Sequence, residues 1–124
     1  MEHASVGGTL NNMAIVLQTQ GKLGDAMTMY EEALRIVKKN LGSEHARVGE
    51  TLYNMAILVS KRQEEEEAKR LVLQAHAIFI SAGRDGKIRN FVEQISVQYG
   101  AEHEFTVFAQ RAVEWVEESE QEQK

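Results

Sequence analysis

Apolar residues along this chain recur every three or four positions, and the stripes they form come in pairs divided by short polar breaks. Val6, Leu10, Met13, Ala14 and Leu17 mark one buried helical face, and Ala26, Met29, Tyr30, Ala33, Leu34 and Val37 mark the next. Gln20-Gly21-Lys22 separates them, because Gly accepts the left-handed conformation that ends a helix at little cost. The second stripe closes at Leu41-Gly42-Ser43. Val48, Leu52, Met55, Ala56 and Val59 then open another pair, completed by Ala68, Leu71, Val72, Ala75 and Phe79 and stopping near Ala82-Gly83. Its inner turn, Arg62-Gln63-Glu64, has no Gly, which predicts a tighter or more helical corner. Small residues at matched places (Ala14 and Ala56, Ala26 and Ala68, Ala33 and Ala75) leave room for neighbouring backbones, with larger side chains filling the grooves.

The pairing is a duplication. Residues 2–15 (EHASVGGTLNNMAI) return as residues 44–57 (EHARVGETLYNMAI), 42 positions later and with 11 of 14 identical. A fixed period of roughly 20 to 50 residues marks a solenoid, in which each unit covers its apolar face with the next. The predicted fold is all-α: a right-handed solenoid of antiparallel helix pairs without β-strands, forming one domain over 1–124. Repeat 1 runs over about 3–42, repeat 2 over about 45–83, and a divergent pair over about 85–120.

That third pair has Ile88, Phe91, Val92 and Ile95 on one short helix and Phe105, Phe108, Ala109, Ala112, Val113 and Val116 on another. Between them Tyr99-Gly100-Ala101-Glu102-His103 echoes Leu41-Gly42-Ser43-Glu44-His45, but 58 positions away instead of 42. The last helix is then either the second member of a degenerate pair or the start of a fourth unit. A terminal cap fits better, since Glu114-Trp115-Val116-Glu117-Glu118 leads into a wholly polar tail. Trp115, set among three Glu, is expected at the rim of that helix.

Charge and composition narrow the partners. The net charge is -5, with 7 basic against 6 acidic residues in 1–62 and 7 against 13 in 63–124. Nucleic-acid binders concentrate Lys and Arg on one face, so that class is set aside. Without Cys there are no disulfides and no thiolate chemistry, and without Pro nothing breaks a helix from inside. No apolar run approaches the roughly 18 residues that span a bilayer, and residues 1–8 lack the basic and apolar regions of a signal peptide. Cytoplasmic residence is the expectation.

Thr9-Leu10-Asn11-Asn12-Met13-Ala14, Gly21-Lys22-Leu23, Ala26, Tyr30, Glu32-Ala33-Leu34 and Leu41-Gly42-Ser43-Glu44-His45 together resemble the tetratricopeptide repeat family, in the 42-residue form found in kinesin light chains. Ser43 and Ala46 stand where that family often has Pro, which implies a less rigid loop. The resemblance covers residue 2 to about 82. It implies that the first helix of each pair lines a concave groove and that an Asn there holds a bound peptide's backbone. By motif match these are Asn12 and Asn54, and a carboxamide can both donate and accept as an extended peptide requires. Helical spacing adds Gly8, Ile15 and Thr19 beside Asn12, and Glu50, Ile57 and Lys61 beside Asn54, with Asn11 and Tyr53 at the border. Lys61, with Arg62 nearby, would draw an acidic ligand. Equally, Asn12 and Asn54 can serve the stack itself by bonding to the next helix.

Other chemistry finds little footing. His3, His45 and His103 fall in equivalent loops, too far apart for the roughly 2 Å reach of shared metal ligands, and read as loop caps. His76 is expected partly buried with one nitrogen satisfied. Asp25 and Asp85 read as helix starts, and Glu64 to Glu67 as solvated surface. There is no phosphate loop or nucleophile elbow, so neither an enzyme nor a cofactor is expected. Two functions follow: a protein-binding adaptor that takes a peptide or helix of a partner in its groove, or a structural protein that self-associates through exposed edges such as Met29 or Phe108. The first helix starts within a few residues of Met1, which suits edge pairing and suits a segment of a longer array equally.

Overall fold

The computed structural model describes residues 4–122, with side chains from Gly7 onward; His3 and the Val6 side chain lie outside the described residues. Among these residues there are six helices and no strand: α1 (Ala4–Thr19), α2 (Leu23–Leu41), α3 (Ala46–Lys61), α4 (Glu65–Ser81), α5 (Lys87–Tyr99) and α6 (Glu104–Glu122). The chain is an all-α helical-repeat solenoid. α1 pairs with α2, α3 with α4, and α5 with α6, while α2 also packs on α3 to join the first two pairs.

Small residues set how close the helices come. Ala14, Ala26, Ala33, Ala56, Ala68 and Ala75 are completely buried. Gly7 and Gly49, also 42 apart, mark tighter crossings. A Cβ on Gly7 would lie 2.8 Å from Val37 Cγ2, and one on Gly49 would lie 2.7 Å from the Phe79 ring.

The turns inside the first two pairs share one geometry. At Gly21 (φ 81) the Gly21 and Lys22 N–H groups donate to the Gln18 and Leu17 carbonyls at 3.0 and 2.9 Å. The corner at Arg62-Gln63-Glu64 is neither tighter nor more helical. Gln63 takes φ 62, and Gln63 and Glu64 donate to Ser60 and Val59 at 3.0 Å each. Hydrogen bonding to the two orphan carbonyls thus holds a side-chain-bearing residue in the left-handed region.

Between pairs a different loop recurs. Gly42 (φ 90) is followed by His45, whose Nδ1 accepts from the Arg47 N–H at 3.1 Å; Gly100 (φ 92) is followed by His103, whose Nδ1 accepts from the Phe105 N–H at 3.1 Å. The echo in the sequence is therefore the same helix-starting device, with histidine as the cap. In the third pair the two connectors are interchanged: Gly83 (φ 75) makes the within-pair turn between α4 and α5, and the capping loop joins α5 to α6.

This interchange changes the stacking. α4 packs against α6 and only slightly against α5. Arg111 meets Glu65 at 2.7 Å near the start of α4, and Glu120 lies 3.3 Å from His76 further along it, so α6 runs parallel to α4. By direction α6 is the second member of its pair. Lys87 lies 3.7 Å from Glu50 near the start of α3, so α5 runs alongside α3 on the other side.

Several expectations are corrected by this packing. Trp115 is not at the rim: it is 8% exposed, edge-on to Phe108 at 5.9 Å, with the Arg111 guanidinium 5.9 Å above it. Glu114, Glu117 and Glu118 are exposed on other sides of α6, and sequence neighbours on a helix point about 100° apart, so they do not decide its burial. Phe108 is buried and is no edge residue. His76 is buried with neither nitrogen hydrogen-bonded; Nε2 is within ion-pair distance of Glu120 but outside hydrogen-bond geometry. Asp85 does not cap α5, which starts after Gly86 without a side-chain cap.

Met13 leaves the predicted stripe. It is 46% exposed and Val16 is 55% exposed, whereas their counterparts 42 positions later, Met55 and Leu58, are 9% and 0% exposed. The second pair has its face covered by the first pair. Periodicity shows which residues share a face, not whether that face has a neighbour.

Candidate functional site

α1 and α3 present repeat-equivalent residues toward the same side, and α5 faces them. Between them lies a cavity of about 220 Å³ lined by Ile15 and Gln18 of α1, Tyr30 of α2, Tyr53, Asn54 and Ile57 of α3, Phe91, Ile95, Gln98 and Tyr99 of α5, and Phe105 of α6. Of the ten residues expected at a groove, Gly8 and Glu50 line a separate small hollow with Arg47, while Ile15, Tyr53, Asn54 and Ile57 meet here. Asn11 sits beside them, its Oδ1 accepting a long 3.5 Å bond from Asn54 Nδ2. This bond joins the two repeats. Asn12 and Thr19 are exposed and lie outside the cavity; the Thr19 hydroxyl donates to its own helix at the Ile15 carbonyl, 2.9 Å away. Lys61 stands at a separate small hollow beside Glu104 and Phe105. Its Nζ is 2.9 Å from Glu104 and 5.3 Å from the centre of the Phe105 ring, so an acidic ligand would have to displace Glu104.

The lining is strongly aromatic. The Tyr53 ring lies 4.3 Å from Phe91 and 5.6 Å from Phe108, while Phe91 is 6.0 Å from Phe79. Offset and edge-on contacts of this kind hold rings in place through their quadrupoles. Tyr53 is 2% exposed, and its hydroxyl is buried without a hydrogen-bond partner. In contrast, the buried Tyr30 hydroxyl donates to Gln18 Oε1 at 3.0 Å. Burial pushes both phenols well above their ordinary range, since a phenolate would lose its solvation there.

Gln18, Tyr30, Phe105 and the whole α5 contribution go beyond the expected site. Gln18 carried a signal, a polar residue buried in step with the Ala14 side of α1. The spacing of α5 from its counterparts carried none. A second, more open hollow of about 450 Å³ lies elsewhere, on the outer face of the first pair, bounded by Met13, Val16, Leu17, Asp25, Thr28 and Met29. No group of three or more His, Cys, Asp or Glu able to hold a metal ion occurs among the described residues. No helix among them is long and apolar enough to cross a membrane.

The tetratricopeptide repeat family model matches residues 5–81, well over half of the chain. The chain belongs to that family. Its repeats are generally protein–protein interaction modules and typically non-catalytic. The match ends with α4, where the connectors interchange and α5 comes to line the cavity. No curated protein matches the chain.

Proposed function

We propose that this protein is a non-catalytic adaptor that binds a peptide or helix of a partner protein on its concave side, in the manner of kinesin-light-chain-type repeats and in a cytoplasmic setting. The observation that carries the reading is the cavity in which Ile15 and Ile57, the same position in two repeats, come together with Tyr53 and Asn54. Apolar walls with few polar groups suit one bulky side chain of a ligand, and the polar groups can fix its orientation. Asn54 has a second role in this reading, since its bond to Asn11 also ties the repeats together. The test is selection from a displayed peptide library against the immobilised chain, followed by titration of variants. Ile15→Lys should weaken the selected peptide at least tenfold with helix content unchanged, whereas Met13→Lys should leave binding intact.

A second reading, self-association, is favoured by the exposed Met13 and Val16 beside half-buried Met29. The matching face of the second pair is buried in this fold, so the surface has the chemistry of a helix contact. Phe108 takes no part in it. In that case mass in solution rises with concentration, Met13→Lys abolishes the rise, and Ile15→Lys does not.

A further inference from the structure

We propose that α5 is an exchangeable resident of the concave groove, and that the partner is an amphipathic helix bearing bulky apolar residues at the spacing of Phe91, Ile95 and Tyr99. The inference rests on the groove reading above and names the ligand's class.

Position is the first argument. In the first two pairs, the second helix of one pair packs on the first helix of the next, as α2 does on α3. α5 breaks this rule: α4 takes α6 as its neighbour, and α5 stands over the groove instead. Phe91, Ile95 and Tyr99 are four residues apart, one stripe of a helix, and all three line the cavity opposite Ile15 and Ile57. The molecule thus contains its own example of a groove ligand, and that ligand is helical.

The second argument is how lightly α5 is held. Ile88 is its only buried residue. No side chain caps its start, its first turn has no acid and its last turn no base, so neither end is complemented electrostatically. Its ion pairs, Lys87 to Glu50 at 3.7 Å and Arg89 to Glu120 at 3.4 Å and to Glu117 at 3.9 Å, join partly exposed groups and contribute little. A helix of 13 residues has little stability of its own.

The third argument is imperfect fit. α5 leaves about 220 Å³ unfilled and the Tyr53 hydroxyl without a partner. The space is a half-open cleft, so apolar lining stays in contact with solvent beside α5, and the orphaned buried hydroxyl raises the free energy of the occupied groove. A partner helix that covers that lining and brings an acceptor to Tyr53 gains on both counts. It must still compete with a tethered resident, whose effective concentration is in the millimolar range for a short connection.

The probe is a fluorescently labelled synthetic peptide of residues 85–100, titrated against the full chain. Wild type should bind it weakly. Phe91→Ala, which loosens the resident, should bind it at least tenfold more tightly, and adding Ile15→Lys should abolish the gain. Equal affinity for wild type and Phe91→Ala overturns exchange. If a library-selected peptide still depends on Ile15 in that event, the groove reading survives alone; if no peptide depends on Ile15, both fall. Hydrogen exchange on the unaltered chain gives an independent check that needs no variant. Amides of α5 should exchange at least tenfold faster than those of α3, and equal protection contradicts the proposal.

Discussion

Gly49→Ala adds one methyl group where α3 crosses α4. The new Cβ would meet three carbons of the Phe79 ring at 2.7, 2.9 and 3.0 Å, and Phe79 is itself wholly buried. Normal contact requires the ring or the helix to move by several tenths of an ångström. Overpacking of this kind costs about 1–3 kcal/mol, and the rigid aromatic neighbour places it in the upper half of that range. Replacing Gly by Ala inside a helix returns about 1 kcal/mol. The net expectation is a loss of about 1–2 kcal/mol, or a fall of roughly 3–10 °C in Tm for a domain of this size. Gly8→Ala is the control. Its Cβ would meet only the mobile end of Arg47, at 2.9 Å, so the helix gain should dominate and Tm should rise. Calorimetry of both variants reads the two signs, and Gly49→Ala/Phe79→Leu should recover part of the loss. A Gly49→Ala chain as stable as the parent would refute the close crossing.

Gln63→Gly should stabilise the chain by about 0.5–1 kcal/mol in urea unfolding, because relief of the left-handed backbone, about 1–2 kcal/mol, exceeds the added freedom of Gly when unfolded; a drop in midpoint would contradict it. Tyr30 and Tyr53 keep their protons in the folded state above the ordinary phenol value of 10.0, whereas the unfolded chain loses them there. Stability is therefore complete below that value and falls as pH rises past it, by about 1.4 kcal/mol per pH unit for each phenol. Tyr53→Phe should remove half of that alkaline loss and, by deleting an orphaned hydroxyl, should cost no stability at neutral pH.

The duplicated half of this fold is legible because its rules are local. Spacing of three and four fixes which side of α1 to α4 is apolar, and Ala14, Ala33, Ala56 and Ala75 all lie where helices touch. His45 and His103 cap helices as their shared loop motif implied. Long-range consequences were not legible. Trp115 is buried because α6 packs onto α4, which depends on the interchanged connectors and not on its neighbouring Glu residues. Asn12 carries the same motif position as Asn54 yet stays exposed, since the cavity is closed by α5 over the second repeat's position only. The sequence offers Lys61 to an acidic ligand, but Glu104 arrives from a segment 43 residues later and pairs with it.

The most direct test of the groove is methyl NMR on the chain labelled at Ile, titrated with a library-selected peptide. Ile15, Ile57 and Ile95 line the cavity, whereas Ile80 lies exposed on α4 outside it. Binding in the groove predicts large shifts at Ile15, Ile57 and Ile95 with Ile80 unmoved. Shifts at Ile80 with the cavity methyls unchanged would place the partner elsewhere and contradict the account.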